Sequence, residues 1–585
     1  MTRRLRLVVA GPLAAGLLGA CSTLAPADAT RPVPRLEGLG AWRTTMSGAS
    51  PAAQRWIDQG VLLAYGFEHG RAARAFEQAL REDPDCAMCA WGAAYVLGPN
   101  INRPRSEVDL PALKRAHGFA QQAAAIAAGQ PAGRVSARDA RLIAAMQERY
   151  DADPKPTPET PAASETTGPG GPGSVCSAAG SPFSGDAAAA PARETAYARA
   201  MAEAHARHPD DVDVAALYAE SLMMLTPWSW YGKNKQPHAN TRTAIDVIRR
   251  ALAAAPQHPG LIHFLIHATE QGPDATWAEA PADRLGAISP GLPHLVHMPS
   301  HTYIRVGRYG DAARVNQRAL EADVALAAAI RAQGGEPGRN WDFHHLHFLW
   351  FAAAMDGQGR VAVDAARRLS AKFGMLERIR GGWAADLAAE LPWLAMVQVE
   401  RWGEILSTEL PRPWYRHERA VAHYARGMAL ARGLGQADDA LGELASLEVM
   451  AGTGERDPVE AAAPTLRIAV ASLRGEVAWA RGDREQALHW LKRAQELERS
   501  IDGGEVASFG SITAPALGTA LLAAGRAADA EKVYREQLEA WPGDPRALQG
   551  LERSLAALGR TAEAQANGAA FRAAWVRADF LPARR

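Results

Sequence analysis

Histidines are the residues of this sequence whose type and spacing point most directly to chemistry. The chain has 585 residues and 17 histidines, and a group of the histidines falls within one short region: His263, His267, His294, His297, His301, His344, His345 and His347. Neutral imidazole is the commonest protein ligand for transition metals and suits zinc and copper. The region therefore predicts a site for a transition metal, zinc or copper.

The first half of this group is carried by one predicted helix. At about 100° per residue, His263, His267 and Glu270 fall within about 60° of one another and share one face. Two histidines four residues apart on a helix can chelate a single ion. Glu270 is then either a further metal ligand or, in a catalytic site, the general base.

The second half of the group follows the same pattern on a later predicted helix. His294, His297 and His301 also fall within about 60° of one another at the helical period. His344 and His347 begin a further predicted helix and can close the ligand set. Pro299 lies inside the second histidine helix, where we expect a kink because proline removes a backbone hydrogen bond.

Two other interpretations of the histidines stay open. The group can form a hydrogen-bonding pocket for an anionic or aromatic ligand, or it can be polar packing without a ligand. Closely packed imidazoles repel one another once protonated, which favours a bound cation. Arg305 lies on the same side of its helix as His301 and could hold a carboxylate or phosphate.

Several residues outside the histidines are candidates for contact with a ligand. Trp228 and Trp230 form an aromatic group that predicts either packing between helices or a wall of the same site. Asn100, in an irregular loop, either caps a helix or contacts a ligand. Cys86 and Cys89 have C-x-x-C spacing, and we favour a disulfide or buried packing over half of a soft-metal site.

Common catalytic motifs are absent from the sequence. The chain contains no G-x-x-x-x-G-K-[ST], no G-x-S-x-G and no H-E-x-x-H. His263 and His267 have the spacing of the last motif, but Phe264 stands where its glutamate would be. The formal net charge is zero, with 64 basic and 64 acidic side chains, which argues against a nucleic-acid partner.

The elements that must position these residues are helical repeats. Small and large residues recur at the spacing of a helix–turn–helix unit of about 34 residues, most clearly in Trp56, Gly60, Ala72, Phe76, Ala79 and Pro84. Weaker copies occur around Gly307, Gly482, Gly525 and Gly559. The pattern resembles the tetratricopeptide repeat. We predict an all-α solenoid of such units, a right-handed superhelix with one disordered insertion.

The resemblance to tetratricopeptide repeats implies where the histidine helices point. The places taken by His263, His267 and Glu270, and by the second histidine helix, are those that line the concave groove of such arrays. A groove of this kind commonly binds a peptide or partner protein, which is the alternative function without metal or catalysis. An open groove lined by Asn, Lys and Arg would favour it, whereas a capped site would favour the metal.

Longer strings resemble a family of bacterial tetratricopeptide-repeat proteins. They are CAMCAWG, GPNIN, HFLIHATE, HLVHMPSHTYIRVGRY and HLHFLW. In that family the last histidine helix is usually preceded by Pro-His-Asn, whereas this chain has Phe343, His344 and His345. The resemblance therefore does not carry over His345 as a site residue, and it implies a fold without naming a reaction.

The first 21 residues predict a lipoprotein signal peptide. Leu18-Gly19-Ala20-Cys21 resembles a lipobox and follows a basic start and a short apolar core. We therefore expect an exported chain that is anchored in a membrane by lipid at Cys21. In bacteria we expect this to be the outer membrane, on its periplasmic side. We divide the rest into a linker (22–50), N-terminal repeats (51–152), the Pro- and Gly-rich insertion (153–192), central repeats with the histidines (193–370) and C-terminal repeats (371–585).

Overall fold

The computed structural model describes residues 32–154, 191–338, 340–452, 457–501 and 504–580. Helices and turns make up these residues, and no β-strand occurs among them, which confirms the all-α prediction. The predicted signal peptide with Cys21 and residues 155–190 of the predicted insertion lie outside the described residues. None of the described helices is long and apolar enough to cross a bilayer.

The helices follow one another along the chain with short connections. The N-terminal part contains α1 (Pro51–Tyr65), α2 (His69–Glu82), α3 (Ala87–Leu97), α4 (Leu110–Gly129) and α5 (Ala137–Arg149). The central part contains α6 (Ala192–Arg207), α7 (Val212–Met223), α8 (Ala239–Ala254), α9 (Pro259–Glu270), α10 (Glu279–Ile288), α11 (Pro293–His297), α12 (Pro299–Arg305), α13 (Tyr309–Ala332), α14 (Asp342–Met355) and α15 (Gly359–Ser370).

The C-terminal part continues the same arrangement. It contains α16 (Met375–Arg380), α17 (Trp383–Gln398), α18 (Trp402–Ser407), α19 (Arg416–Met428), α20 (Ala437–Ala451), α21 (Pro458–Ala461), α22 (Pro464–Ala480), α23 (Arg484–Ile501), α24 (Thr513–Ala523), α25 (Ala527–Ala540), α26 (Pro545–Ala557) and α27 (Thr561–Ala574).

The first repeat shows why the sequence pattern produces a helix pair. The hydroxyl of Ser50 caps α1, and Phe76 of α2 is fully buried between α1 and α3. A Cβ added at Gly60 would lie 2.8 Å from the Phe76 ring, and one at Gly92 would lie 2.2 Å from it. Glycine at both positions therefore lets the two flanking helices approach the phenyl ring closely.

The same construction recurs towards the other end of the chain. Tyr534 of α25 fills the space next to Gly518 and Gly550, where an added Cβ would lie 2.5 and 2.0 Å from its ring. Consecutive helices pack against each other throughout, as in α1 with α2, α13 with α14 and α22 with α23. The chain is therefore a solenoid of helix–turn–helix units of the tetratricopeptide type, as predicted.

Both ends of the described chain pack against its middle. Near the C-terminus, the Arg577 guanidinium donates two hydrogen bonds of 2.6 Å to Asp356, and the Asp579 N–H donates to Gly357 O at 2.9 Å. Near the N-terminus, Gly38 O accepts from the Gly291 N–H at 2.8 Å. Segments near both ends of the described chain thus contact the central repeats.

The central repeats hold the histidine helices. Proline occupies the first turn of α9 and of α11, a position that favours helix initiation. The second histidine helix is interrupted at Met298, so that α11 and α12 are separate segments, because Pro299 has no N–H to donate. This break falls at the proline for which a kink is predicted.

Candidate metal centre

Seven residues from four helices meet in one closed cluster. Each is at most 2% exposed. We call them the histidine cluster: His263, His267 and Glu270 of α9, His294 and His297 of α11, His301 of α12 and His344 of α14. The sequence predicted that these residues converge, and the structure brings them together.

Within the histidine cluster, the ligand atoms form two groups of three imidazoles. His263, His267 and His294 form the first triad, and His297, His301 and His344 form the second triad. In each triad one nitrogen of every ring lies within 4.8 Å of the others. These triads have the ligand type and spacing that could hold a transition metal.

Glu270 links the two triads. Its Oε1 accepts a hydrogen bond from His267 Nδ1 at 2.8 Å, and its Oε2 accepts one from His301 Nδ1 at 2.5 Å. Both rings therefore carry their proton on Nδ1, since a carboxylate can only accept. This leaves Nε2 of each ring with a lone pair that can bind a metal.

Backbone and amide oxygens orient two further rings in the same way. His263 Nδ1 donates to Tyr65 O at 2.7 Å, and His297 Nδ1 donates to Asn316 Oδ1 at 2.6 Å. The amide orientation is fixed because Asn316 Nδ2 donates to Ala312 O at 2.8 Å. Histidines that bind metals usually have such an oxygen partner on the other ring nitrogen.

The Nε2 atoms in turn face one another. His297 Nε2 lies 2.9 Å from His301 Nε2, and both rings have their proton on Nδ1, so two lone pairs point at each other. His267 Nε2 and His344 Nε2 are buried and have no hydrogen-bond partner within the described residues. Lone pairs placed in this way need a cation between them to be stable.

Burial keeps the rings neutral. It lowers the pKa of His263, His294, His297 and His344 well below the usual value, and neighbouring imidazoles lower these pKa values further. Burial on its own would raise the pKa of Glu270, but His301 and His267 outweigh it and lower that pKa to about 2. These four imidazoles are thus neutral and lie beside one carboxylate anion.

Aromatic side chains cover the cluster. The ring of Phe67, in the turn between α1 and α2, lies 4.3 Å from that of His263 and 5.1 Å from that of His294. Phe67 has a left-handed backbone conformation (φ 55°), which is uncommon for a residue other than glycine. Trp341 covers His294 from the other side at 4.4 Å. The site is therefore capped, which is the arrangement expected of a metal site and not of a peptide groove.

A loop from the far end of the chain completes the cover. Glu505, between α23 and α24, lies with Oε1 3.5 Å from His301 Nδ1 and is almost fully buried. Arg305 donates to Gly504 O at 2.7 Å, and its guanidinium lies over Trp541. Arg305 thus contacts this loop, and a carboxylate or phosphate ligand at Arg305 stays a prediction.

The remaining histidines of the region lie at the edge of the cluster. The ring of His347 stacks on Trp350 with 5.8 Å between centroids, and His347 belongs to neither triad, so the structure does not place it as a ligand. His345 lies 4.9 Å from His297, between ring centroids, and donates through Nδ1 to Asp323 at 2.9 Å.

The other candidate residues have mainly structural contacts. Trp228 and Trp230 are buried and lie 5.5 and 6.3 Å from the His267 ring, so they both pack the core and line the cluster. Asn100 accepts the Asn102 N–H at 2.9 Å within its own loop and belongs to neither triad.

Cys86 and Cys89 form a disulfide at the start of α3. The Cys86 sulfur also accepts a hydrogen bond from the Cys89 N–H at 3.1 Å and so caps the helix. The favoured interpretation of the C-x-x-C pair is confirmed, and the alternative of a soft-metal half-site is wrong because neither sulfur is a thiolate.

Sequence reasoning missed the residues that orient the ligands from other elements. Asn316 is on α13, Asp323 is further along the same helix, and Glu505 follows α23. None of them belongs to a motif with the histidines. The oxygen partners of Nδ1 can be found only once the packing of the helices is known.

Comparisons with known proteins give distant similarities of helical architecture. No family model matches the sequence, and no curated protein matches it. Among solved structures, the human IFIT1 dimer with m7Gppp-AAAA is 11% identical with a TM-score of 0.29, and 91% of each chain is covered. Naa15/Naa10 bound to HypK is 10% identical with a TM-score of 0.24, covering 89% of this chain and 88% of that chain. Similarities at this level do not bear on the function of the histidine cluster.

Proposed function

We propose that the protein binds a transition metal, zinc or copper, in the histidine cluster. The observation that carries this proposal is the contact of 2.9 Å between Nε2 of His297 and Nε2 of His301. Hydrogen bonds to Asn316 and Glu270 hold the proton of each ring on Nδ1. A metal ion is a cation that both lone pairs can bind at once.

The chemistry of the cluster disfavours the other two interpretations of the histidines. An anionic ligand needs hydrogen-bond donors, but the Nδ1 donors of four rings are already used by protein oxygens. Polar packing without a ligand would leave buried acceptors facing each other, which costs free energy. The closed cover also excludes a peptide lying in this part of the array.

A metal held by three imidazoles would keep an open coordination position, as in catalytic zinc sites. Bound there, zinc or copper supplies Lewis acidity towards a small ligand or water. The chain's own contribution is orientation and exclusion of water, from Glu270, Asn316 and Phe67. Both oxygens of Glu270 are used by His267 and His301, so it acts as a positioning residue in this proposal.

The test is the metal content of the purified full-length chain. We expect zinc or copper at one or more equivalents per chain in the wild type, measured by elemental analysis after dialysis. The variant His267→Ala/His297→Ala removes one ligand from each triad and is expected to lose most of the metal. His347→Ala is the matched control, because it removes a histidine of the same region that lies in neither triad. Absence of metal from the wild type, or equal metal in the double variant, would refute the proposal.

An interaction function has a separate place in the structure. A cleft between the C-terminal helices is lined by Tyr424, Arg432, Arg546 and Arg553; of these arginines, Arg432 pairs with Glu400 and Arg546 with Asp544. We assign Arg553 to a carboxylate of a bound peptide, because a guanidinium group suits that ligand. Binding of a labelled acidic peptide library that is weakened by Arg553→Glu, and unchanged by His347→Ala, would support this second function.

We further propose that the chain is exported and anchored by lipid at Cys21. The support is the lipobox-like sequence and the Cys86–Cys89 disulfide, which is typical of an oxidising compartment. Incorporation of a labelled fatty acid that is lost in Cys21→Ala is the expected result. Export without labelling would contradict the anchor.

A further inference from the structure

We infer that the histidine cluster holds two metal ions, one in each triad, with Glu270 between them. This inference rests on the proposed function and extends it from a metal site to a two-metal centre. It starts from the fact that the two triads share no residue. Each triad is a complete set of three imidazoles, the same number of protein ligands that catalytic zinc sites use.

The position of Glu270 supports two ions rather than one. A third group of possible ligands, His267, Glu270 and His301, could in principle hold a single ion. That ion would have to replace the two hydrogen bonds from Nδ1 to the carboxylate, at 2.8 and 2.5 Å. It would also leave Nε2 of His267 and Nε2 of His344, one in each triad, without a partner among the described residues. Two ions bound at Nε2 keep the hydrogen bonds and use the lone pairs.

The distances between Nε2 atoms fit one ion in each triad. Ligands at about 2.0–2.1 Å from a tetrahedral ion are about 3.3 Å apart. In the first triad, Nε2 of His263 lies 3.2 Å from Nε2 of His294. In the second triad, the corresponding distance from His297 to His301 is 2.9 Å. Each pair therefore matches one edge of a coordination sphere.

The two triads are adjacent. The rings of His267 and His301 lie 5.5 Å apart, and those of His294 and His297 lie 5.9 Å apart, although each pair spans both triads. These separations are similar to those within a triad. Ions in neighbouring sites of this kind can share a small ligand such as hydroxide.

Charged groups close to the cluster bear on which ions it can hold. His301 faces two carboxylates, Glu270 and Glu505, and Glu505 comes from the loop that covers the site. The imidazoles themselves are neutral ligands. The Arg305 guanidinium, one turn along α12 from His301, also acts on this ring electrostatically, so charges of both signs surround the cluster and the neutral ligand set suits copper(I) as well as zinc.

The experiment is a titration of the metal-free full-length chain with copper(I) under anaerobic conditions, with a chelator of known affinity as competitor. We expect two ions per chain for the wild type. We expect one ion for His294→Ala, which opens the first triad, and one for His344→Ala, which opens the second. His347→Ala is the control on the same helix as His344 and should keep two.

A second measurement does not depend on the variants folding. Anomalous scattering at the copper edge from crystals of the loaded wild type should give two peaks, one at each triad. One peak, or a stoichiometry of one that either variant abolishes, would overturn the two-ion inference and leave the proposed function standing. Absence of any bound copper or zinc would overturn both.

Discussion

Replacing Glu270 by glutamine separates the binding of metal from the stability of the metal-free protein. In the wild type both carboxylate oxygens accept, one from His267 and one from His301. A carboxamide has the same shape, but one of its two groups is a donor. It can accept from only one ring, so the other ring must move its proton from Nδ1 to Nε2.

The metal-free variant should be almost as stable as the wild type. If His301 carries its proton on Nε2, it can donate to His297 Nε2 across the 2.9 Å that separates them. Loss of the charge on residue 270 costs about 1 kcal/mol for each of its two hydrogen bonds, and the new hydrogen bond contributes about 1 kcal/mol. We therefore expect the free energy of unfolding to fall by about 1 kcal/mol.

The same proton is expected to weaken metal binding strongly. A nitrogen that carries a proton cannot bind a metal, and loss of an orienting partner typically lowers metal affinity about 10- to 100-fold, or about 1.4–2.8 kcal/mol. Competition with a chelator measures the affinity, and urea denaturation of the metal-free chain measures the stability. The nitrogen shifts of ¹⁵N-labelled histidine report which ring has changed its tautomer.

A matched control is Glu443→Gln. Glu443 accepts a hydrogen bond from His423 Nδ1 at 2.6 Å, and neither residue belongs to the histidine cluster. This variant should change stability without changing metal affinity. The reasoning is refuted if Glu270→Gln binds metal as tightly as the wild type. It is refuted equally if its metal-free form loses more than about 3 kcal/mol, the scale expected when a buried charge pair is broken.

Three further predictions concern other parts of the structure. Asn316→Leu removes the acceptor of the His297 Nδ1 proton and should weaken metal binding about 10- to 100-fold, measured by chelator competition, with no such loss in Asn316→Asp. Gly92→Ala places a Cβ 2.2 Å from the Phe76 ring and should lower the free energy of unfolding by about 1–3 kcal/mol, measured by urea denaturation. Adding Phe76→Leu to this variant should restore part of the lost stability. Backbone N–H groups at the start of α15 outweigh the effect of burial and lower the pKa of Asp579. Its contact is therefore complete above the ordinary pKa of about 4 and is lost as pH falls through the lowered value. Limited proteolysis at the C-terminus should show this step, and Asp579→Asn should remove it.

The sequence alone was sufficient to predict the helices and most of the ligand set. The i, i+4 spacing in α9 and the repeat pattern placed the histidines of α9, α11 and α12 on inward faces, and these faces do converge. His347 was predicted as a ligand together with His344, because both begin the same helix. The structure brings only His344 to the cluster, and the ring of His347 stacks on Trp350 instead.

The sequence does not predict the residues that cover the histidine cluster or those that orient its rings. Phe67 reaches the cluster because its turn has a left-handed conformation, which no local pattern indicates for phenylalanine. Glu505 lies about 200 residues from His301 in the chain, and its position depends on how the superhelix closes. A groove that looks open from repeat spacing becomes a closed site once such distant segments are packed against it.

The contacts between the chain ends and the central repeats have a mechanical consequence. An open array of helical repeats behaves as a spring, because each unit touches only its neighbours and small rotations add up along its length. Here hydrogen bonds join both ends of the described chain to its middle. They link Arg577 to Asp356, Asp579 to Gly357, and Gly291 to Gly38. Stretching or twisting the molecule therefore requires these hydrogen bonds to break first. The central helices are accordingly held rigidly. This rigidity helps to keep the ring nitrogens of the histidine cluster in fixed positions.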